Sequence, residues 1–228
     1  MVFEPMTLKE YFEKYFVELI SNTLYYVLTA TIVAFIFGII LGVVLFMLRR
    51  SKKKVQKYCY NVLDFLVNML RSFPFYILIF VLVPFTRVVM EIFTGRAVAI
   101  SSNAFVVPLI IAAIPFFAKI IENALNEVNP QIIEAAQSLG LTWPQIITRV
   151  VIREALPAIV SGVTLGIITL FGYSALSGAV GGDSLGKFAY DHGVGVYDTN
   201  AIIYAVVTTI VIVEAVSIIG NIIYKKIK

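Results

Sequence analysis

The chain has 228 residues, of which 60% are hydrophobic and only 14% are charged, and its formal net charge is +4. A soluble domain has roughly 45–50% apolar and about 25% charged residues, so this composition excludes a soluble globular protein. The single cysteine, Cys59, excludes an intrachain disulfide, and the sequence has no Cys/His cluster typical of a metal site.

Five apolar runs are long enough to cross a bilayer as helices, which requires about 20 mostly apolar residues each. In chain order, the predicted spans are residues 19–48, 62–85, 97–118, 155–180 and 199–224. The sequence therefore predicts an all-α, multi-pass protein of the cell (plasma) membrane, in which residues 1–228 form a single transmembrane domain surrounded by the lipid bilayer.

The lysines and arginines between the spans predict the orientation, because cytoplasmic loops carry the excess of basic residues. Twelve of them fall on one side: Arg49, Arg50, Lys52, Lys53, Lys54, Lys57, Lys119, Arg149, Arg153, Lys225, Lys226 and Lys228. Five fall on the other side: Lys9, Lys14, Arg87, Arg96 and Lys187. We therefore expect the N-terminus outside and the C-terminus in the cytoplasm. The same distribution explains the net charge without a nucleic-acid partner.

The connection formed by residues 119–154 is the longest between spans, and long connections with internal structure are usually functional. Asn129 and Pro130 are typical of a helix start, and Gly140 is typical of a helix end. A second start follows at Thr142. The pattern predicts two short amphipathic helices in the cytoplasm. From the residues alone, they could be a plain membrane-surface connector.

A short motif within this connection favours a more specific role. Glu134, Ala135, Ala136 and Gly140 resemble the EAA loop of ATP-binding-cassette importer permeases. In that family the loop forms a coupling helix that docks onto a cytoplasmic ATPase subunit, so the resemblance implies this role for these four residues. The family pattern continues with a proline where this chain has Arg153. The resemblance therefore does not fix the geometry of the second short helix.

Further segments resemble the methionine-importer permease subfamily across nearly the whole chain: RSFPF at 71–75, VPFTR at 83–87, ENAL at 122–125 and GYSALSGAVG at 172–181. The resemblance implies the type I importer permease fold. It also implies as partners a second copy of the chain, two ATP-binding-cassette ATPase subunits and an extracellular or lipid-anchored substrate-binding protein. ATP and magnesium would be bound by the ATPase partner, and this chain would hold no cofactor.

These features predict the membrane subunit of an ATP-driven amino-acid importer that works by alternating access. Methionine is the cargo that the resemblance favours, while a related amino acid or a small peptide stays open. The alternatives are a secondary transporter or channel and a non-transporting membrane anchor. An enzyme is not expected, because no catalytic arrangement is apparent. Residues 181–187 fit the start of a phosphate-binding loop, but Phe188 stands where Ser or Thr is needed.

Two further sets of residues are candidates for function. By resemblance, the segment with Tyr173, Ser174, Leu176 and Ser177 helps to form the cargo pathway or gate. Independently of any family, Arg71 and Glu214 lie within apolar runs, where a lone charge is costly and usually finds a partner. We expect Arg71 to pair with Glu214. Asp64 is an alternative partner, and separate contacts of each charge with backbone carbonyls or water also stay open.

Overall fold

The structure is a computed structural model that describes residues 5–228, and these residues form helices and turns without a strand. Nine helical elements follow one another: α1 (Leu8–Arg50), α2 (Lys54–Ser72), α3 (Phe75–Val81), α4 (Val83–Thr94), α5 (Val106–Asn126), α6 (Pro130–Ser138), α7 (Trp143–Val180), α8 (Leu185–Phe188) and α9 (Thr199–Ile227). Helix α7 ends in a 3₁₀ turn, Ala175–Val180, and α8 continues as a π-helical turn, Ala189–Val194.

Four of these helices, α1, α5, α7 and α9, are long and apolar enough to cross a membrane. The bent pair α2 and α3 supplies a fifth span when it is counted as one. The prediction of an all-α multi-pass protein is therefore confirmed.

The second predicted span, residues 62–85, is wrong as a continuous helix. It is broken between α2 and α3, whose axes differ in direction by 103°. Phe73 and Pro74 have extended backbones, with ψ of 126° and 122°. Proline has no N–H to donate to the preceding turn and disfavours a helical conformation in the residue before it. The chain therefore turns at Pro74.

Other boundaries also differ from the predicted spans. Helix α5 begins at Val106 rather than 97, because the polar Ser101 side chain accepts a hydrogen bond from Ala104 N (3.1 Å) within a turn. At its other end α5 continues to Asn126 instead of ending at 118. The second short helix predicted after Gly140 is the first part of α7, which runs without interruption into the fourth span. Arg153 is thus accommodated inside a long helix.

Helix α5 is the centre of the bundle, and glycines let two helices approach it closely. A methyl group on Gly38 or Gly42 of α1 would lie 2.7 Å from atoms of α5. The same test places Gly162 of α7 at 2.3 Å from Ile120 and Gly166 at 2.5 Å from Phe117. Small residues spaced by four allow such contacts between membrane helices. The packing fixes the register of α1 and α7 on α5.

The two ends of the bundle have separate apolar clusters. At the basic end, which carries the Arg49–Lys57 connection and the C-terminus, Phe46, Leu125 and Ile133 belong to one buried cluster. At the opposite, glycine-rich end, Tyr11, Phe188 and Ala201 belong to another. Met6 is held at this second end, because Met6 N donates to Asp198 Oδ2 at 2.7 Å.

Candidate coupling surface and membrane-embedded charges

Helix α6 lies on the surface of the basic end. Asn129 caps it by accepting a hydrogen bond from Gln131 N (2.9 Å), and Pro130 occupies the first turn, as the sequence predicts. Ile133 and Ala136 are buried against the basic-end cluster. Glu134 and Ala135 face outward. Of the four residues predicted to couple to an ATPase, Glu134, Ala135 and Gly140 are therefore exposed, and Ala136 anchors the helix to the bundle.

Gly140 ends α6 with a left-handed backbone, φ +79°. Gly140 N donates to Gln137 O (2.9 Å) and Leu141 N donates to Ala136 O (3.2 Å). These two bonds form a Schellman motif, in which a left-handed residue, most often glycine, follows the last turn. No atom lies near the position of an added Cβ, so the backbone conformation is the reason for glycine at this position.

The outer surface around α6 combines one carboxylate with large apolar side chains. Leu139 is 80% exposed and Trp143 is 41% exposed. Glu134 makes no ion pair with any of residues 5–228. Exposed apolar groups next to an unpaired charge, outside the apolar spans, are typical of a protein-docking surface.

A cluster of charges lies beneath the basic end, between α2 and α5. Lys119 Nζ is 2.5 Å from Asp64 Oδ1 and 2.7 Å from Glu122 Oε2. The Glu122 side chain is fully buried and also accepts a hydrogen bond from the Tyr60 hydroxyl at 3.0 Å. Arg49 of α1 approaches Glu122 at 3.6 Å. The cluster connects three helices, and each buried charge in it has a partner.

Lys119 and Glu122 are missing from the charge pairs that the sequence predicts. Both lie after residue 118, where the predicted third span ends, and Lys119 is therefore counted among the loop cations. The sequence does carry a signal. Lys119 and Glu122 are three residues apart and so share one face of a helix, and Asp64 is about as far from the basic end along α2 as Lys119 is along α5.

The predicted pair of Arg71 and Glu214 does not form within residues 5–228. Arg71 instead donates to Asn68 Oδ1 at 3.4 Å and lies over the Phe116 ring at 5.9 Å. Its alternative partner, Asp64, is already bonded to Lys119 and to Asn68 Nδ2. Glu214 is exposed on α9. The sequence places Arg71 and Glu214 within predicted spans, but packing determines which helices meet.

The residues predicted to form a gate lie at the end of α7, and they differ in their surroundings. Tyr173 stacks on Phe75 of α3, with ring centroids 4.6 Å apart. Leu176 is partly buried against the large central cluster. Gly178 and Gly181 follow in the 3₁₀ turn and its cap. Tyr173 therefore contacts the broken second span directly.

Ser174 and Ser177 of the predicted set are buried, and both hydroxyls form hydrogen bonds inside the chain. Ser174 Oγ donates to Phe171 O at 2.7 Å. Ser177 Oγ donates to Ser184 Oγ at 2.8 Å, which ties the end of α7 to the start of α8. Both hydroxyls are therefore bonded within this chain, and a role of these two serines in a gate stays a prediction.

In the turn that resembles a phosphate-binding loop, the polar side chains also form hydrogen bonds within the chain. Lys187 Nζ is 2.5 Å from Asp183 Oδ1, and this hydrogen bond raises the pKa of the lysine above its ordinary value. Ser184 caps α8 by accepting from Lys187 N at 3.3 Å. Among the described residues, no group of three or more His, Cys, Asp or Glu side chains could hold a metal ion.

The sequence of residues 34–228 matches the family described as the binding-protein-dependent transport system inner membrane component. The chain belongs to this family. It is therefore a membrane component of a transport system, with the several apolar helices that such a component needs.

Two relatives within the family cover most of the chain. A Vibrio cholerae protein named a probable D-methionine transport system permease is 40% identical over 90% of this chain and 89% of its own length. A Bacillus subtilis protein named a methionine import system permease is 37% identical over 78% of each chain.

Solved structures show the same fold. A chain from a structure of inward-facing conformations of a methionine ABC transporter superimposes with a TM-score of 0.88 at 32% identity, covering 98% of this chain and 100% of that one. A chain of an amino acid ABC transporter matches with a TM-score of 0.72 at 20% identity, which is a likeness of fold alone. The type I importer permease fold is thus confirmed.

Proposed function

We propose that this chain is the membrane-spanning subunit of an ATP-driven methionine importer. It would pair with a second copy, with two ATP-binding-cassette subunits that bind ATP and magnesium, and with an extracellular or lipid-anchored binding protein. The observation that carries the proposal is the near full-length match, in sequence and in fold, to permeases named for methionine transport.

The geometry of α6 and α7 offers a mechanical route for coupling. Helix α6 is anchored through Ile133 and Ala136 to a cluster that includes Ile146 and Val151 of α7. Helix α7 then runs from Trp143 to Val180 and carries Tyr173 near its far end. A displacement of α6 by an ATPase subunit would therefore be transmitted along one helix to the proposed gate, as alternating access requires.

The central test is transport by the reconstituted complex. The permease, its ATPase and its binding protein are placed in proteoliposomes, and uptake of radiolabelled methionine is measured with and without ATP. We expect uptake that depends on ATP and on the binding protein. Uptake driven by an ion gradient without the ATPase would instead support a secondary transporter.

The coupling role of α6 is tested by Glu134→Lys, which reverses the charge of its exposed face. We expect the variant to remain in the membrane but to lose at least tenfold in ATPase co-purification or in uptake. Glu13→Lys, the same change at an exposed site on α1, is the matched control. Normal uptake by Glu134→Lys would contradict the coupling role.

The proposed orientation places the basic end in the cytoplasm, because twelve of the seventeen lysines and arginines assigned to the two sides belong to it. Cys59 is exposed, so the test starts from a Cys59→Ser background. Ser51→Cys should resist a membrane-impermeant thiol reagent in intact cells, while Val194→Cys at the glycine-rich end should react. Labelling at position 51 in intact cells would overturn the orientation.

The gate is assigned to the face of α7 that holds Tyr173 and Leu176. A larger side chain at the gate should obstruct an apolar cargo, so Leu176→Trp is expected to abolish uptake. Because Leu176 packs against the central cluster, the variant must first be shown to accumulate and to bind the ATPase. Full uptake by an assembled variant would leave the segment with a packing role alone.

A further inference from the structure

Arg71 carries a positive charge that the chain does not neutralise. No ion pair among residues 5–228 includes it. Its polar contact is the side-chain oxygen of Asn68, at 3.4 Å. Asp64, the nearest candidate along α2, is bonded to Lys119 instead. An ionised side chain inside a membrane bundle is costly and usually marks a pathway for substrate or ions.

The guanidinium lies near mid-height of the bundle. It is 5.9 Å from the Phe116 ring, and Phe116 is ten residues from each end of α5 (Val106–Asn126). At about 1.5 Å per residue, that is roughly 15 Å from either end of the helix. Arg71 therefore lies at about mid-height of the bundle, on an exposed part of α2.

A small pocket of ≈ 150 Å³ opens beside Arg71, at the break between α2 and α3. Four aromatic rings line it: Phe73, Phe75, Phe116 and Tyr173. Pockets for drug-sized ligands have about 300–1,000 Å³, so this one is suited to part of a small molecule such as a single amino acid. Its wall includes Tyr173 of the proposed gate.

The end of α2 borders this pocket, which Leu70, Arg71 and Phe73 line. Pro74 has no N–H, so Leu70 O accepts from Phe73 N instead, at 3.3 Å. The last carbonyl groups of a helix lack partners within the helix. In transporters, the ends of discontinuous helices and unwound carbonyls bind charged groups near the midplane. The end of α2 can thus accept hydrogen bonds from an ammonium group.

We propose that Arg71 and the aromatic pocket at this break form a transient binding site for the cargo amino acid. The guanidinium would hold the α-carboxylate through two parallel hydrogen bonds. The carbonyls at the end of α2 would accept from the α-ammonium, and the rings would contact the side chain, which for methionine includes favourable sulfur–aromatic contacts. This inference rests on the proposed import function and adds to it a site within the membrane.

The first test compares substitutions of Arg71 in the reconstituted complex. Arg71→Met removes the charge and keeps much of the volume, and we expect at least a tenfold loss of methionine uptake by a complex that still assembles. Arg71→Lys keeps the charge without the planar fork, so its uptake should be intermediate. Arg96→Met, a loss of the same charge in the exposed turn after α4, should transport like the unmodified protein.

A second measurement does not depend on any Arg71 variant. A diazirine analogue of methionine, irradiated during turnover of the unmodified complex, should label peptides containing Phe73, Phe116 or Tyr173, and excess methionine should suppress the labelling. Labelling of this chain only at other sites would overturn the proposal.

The proposed site and the proposed import function can fail separately. If the unmodified complex takes up methionine and Arg71→Met does so at the same rate, this site is wrong and the import function stands. If the unmodified complex takes up no methionine, the proposed function fails, and the site falls with it.

Discussion

Lys119 and Arg71 are cations on neighbouring helices of the same bundle, yet their surroundings are opposite. Lys119 is within 2.7 Å of two carboxylates, and one of these, Glu122, is completely buried. Arg71 has an amide oxygen at 3.4 Å and an aromatic face, with no carboxylate among residues 5–228. The first cation joins helices α2 and α5, and the second borders a pocket at the point where the second span is broken.

The difference indicates how to separate structural from functional charges in a membrane protein. Partners in the same chain offset the free energy that is lost when a charge is removed from water. Removing one partner is therefore destabilising, because it leaves a buried charge that nothing compensates. A charge without such partners contributes little to folding, so its presence calls for a role outside folding.

Glu122→Ala should have the largest effect on stability. It leaves Lys119 with only Asp64 and leaves the Tyr60 hydroxyl without its acceptor. Breaking a buried ion pair by removing one partner costs about 3–5 kcal/mol. The free energy of unfolding in detergent can be followed by the fluorescence of Trp143, the single tryptophan. Glu127→Ala, at the exposed end of α5, is the control, and an equal loss in both would contradict a structural role for the cluster.

Asp64→Asn should have a smaller effect. Asp64 is 26% exposed, and Lys119 retains Glu122 at 2.7 Å. A hydrogen bond to a charged group contributes about 1.5–3 kcal/mol, and the loss should fall in or below that range in the same unfolding experiment. Glu91→Gln, on the exposed surface of α4, should be neutral. A loss as large as that of Glu122→Ala would show that the two carboxylates are equivalent.

Arg71→Met should leave stability nearly unchanged, although it is expected to lower uptake at least tenfold. Arg71 is exposed, and surface substitutions usually change the free energy of unfolding by less than about 0.5 kcal/mol. The measurement is unfolding of the assembled complex. A destabilisation of 2 kcal/mol or more, on the order of losing a hydrogen-bonded charge, would show that Arg71 has a structural partner in the assembly and would remove the contrast with Lys119.

The smallest effect is expected for the coupling between Arg71 and Glu214. Because the two side chains do not pair in this chain, Arg71→Glu and Glu214→Arg should act independently. Effects of distant substitutions add within about 0.3–0.5 kcal/mol, so the double variant should equal the sum of the single ones. Recovery of accumulation in the double variant alone would restore the pairing, and contact between two copies would then be its source.

Features that depend on residues close together in the sequence, such as membrane helices and helix caps, were predictable. The apolar runs define the membrane helices, because lipid requires every backbone group to be satisfied within a helix. The Asn129–Pro130 start and the Gly140 end of α6 were likewise readable, since capping depends on the residue type at one position. The break at Phe73–Pro74 was available in the sequence, but the surrounding hydropathy favoured one continuous span.

The composition, the apolar runs and the turn residues determined by themselves that this protein is a bundle of membrane helices with a capped surface helix. Only the tertiary structure decided that Asp64 meets Lys119, 55 residues away, that Ser177 is used internally, and that Arg71 shares a pocket with Tyr173. Those contacts depend on the rotation and register of helices packed on α5, which glycines such as Gly38 and Gly166 set by close approach. Hydropathy places a charge at a depth, but it does not specify which face of the helix meets which neighbour.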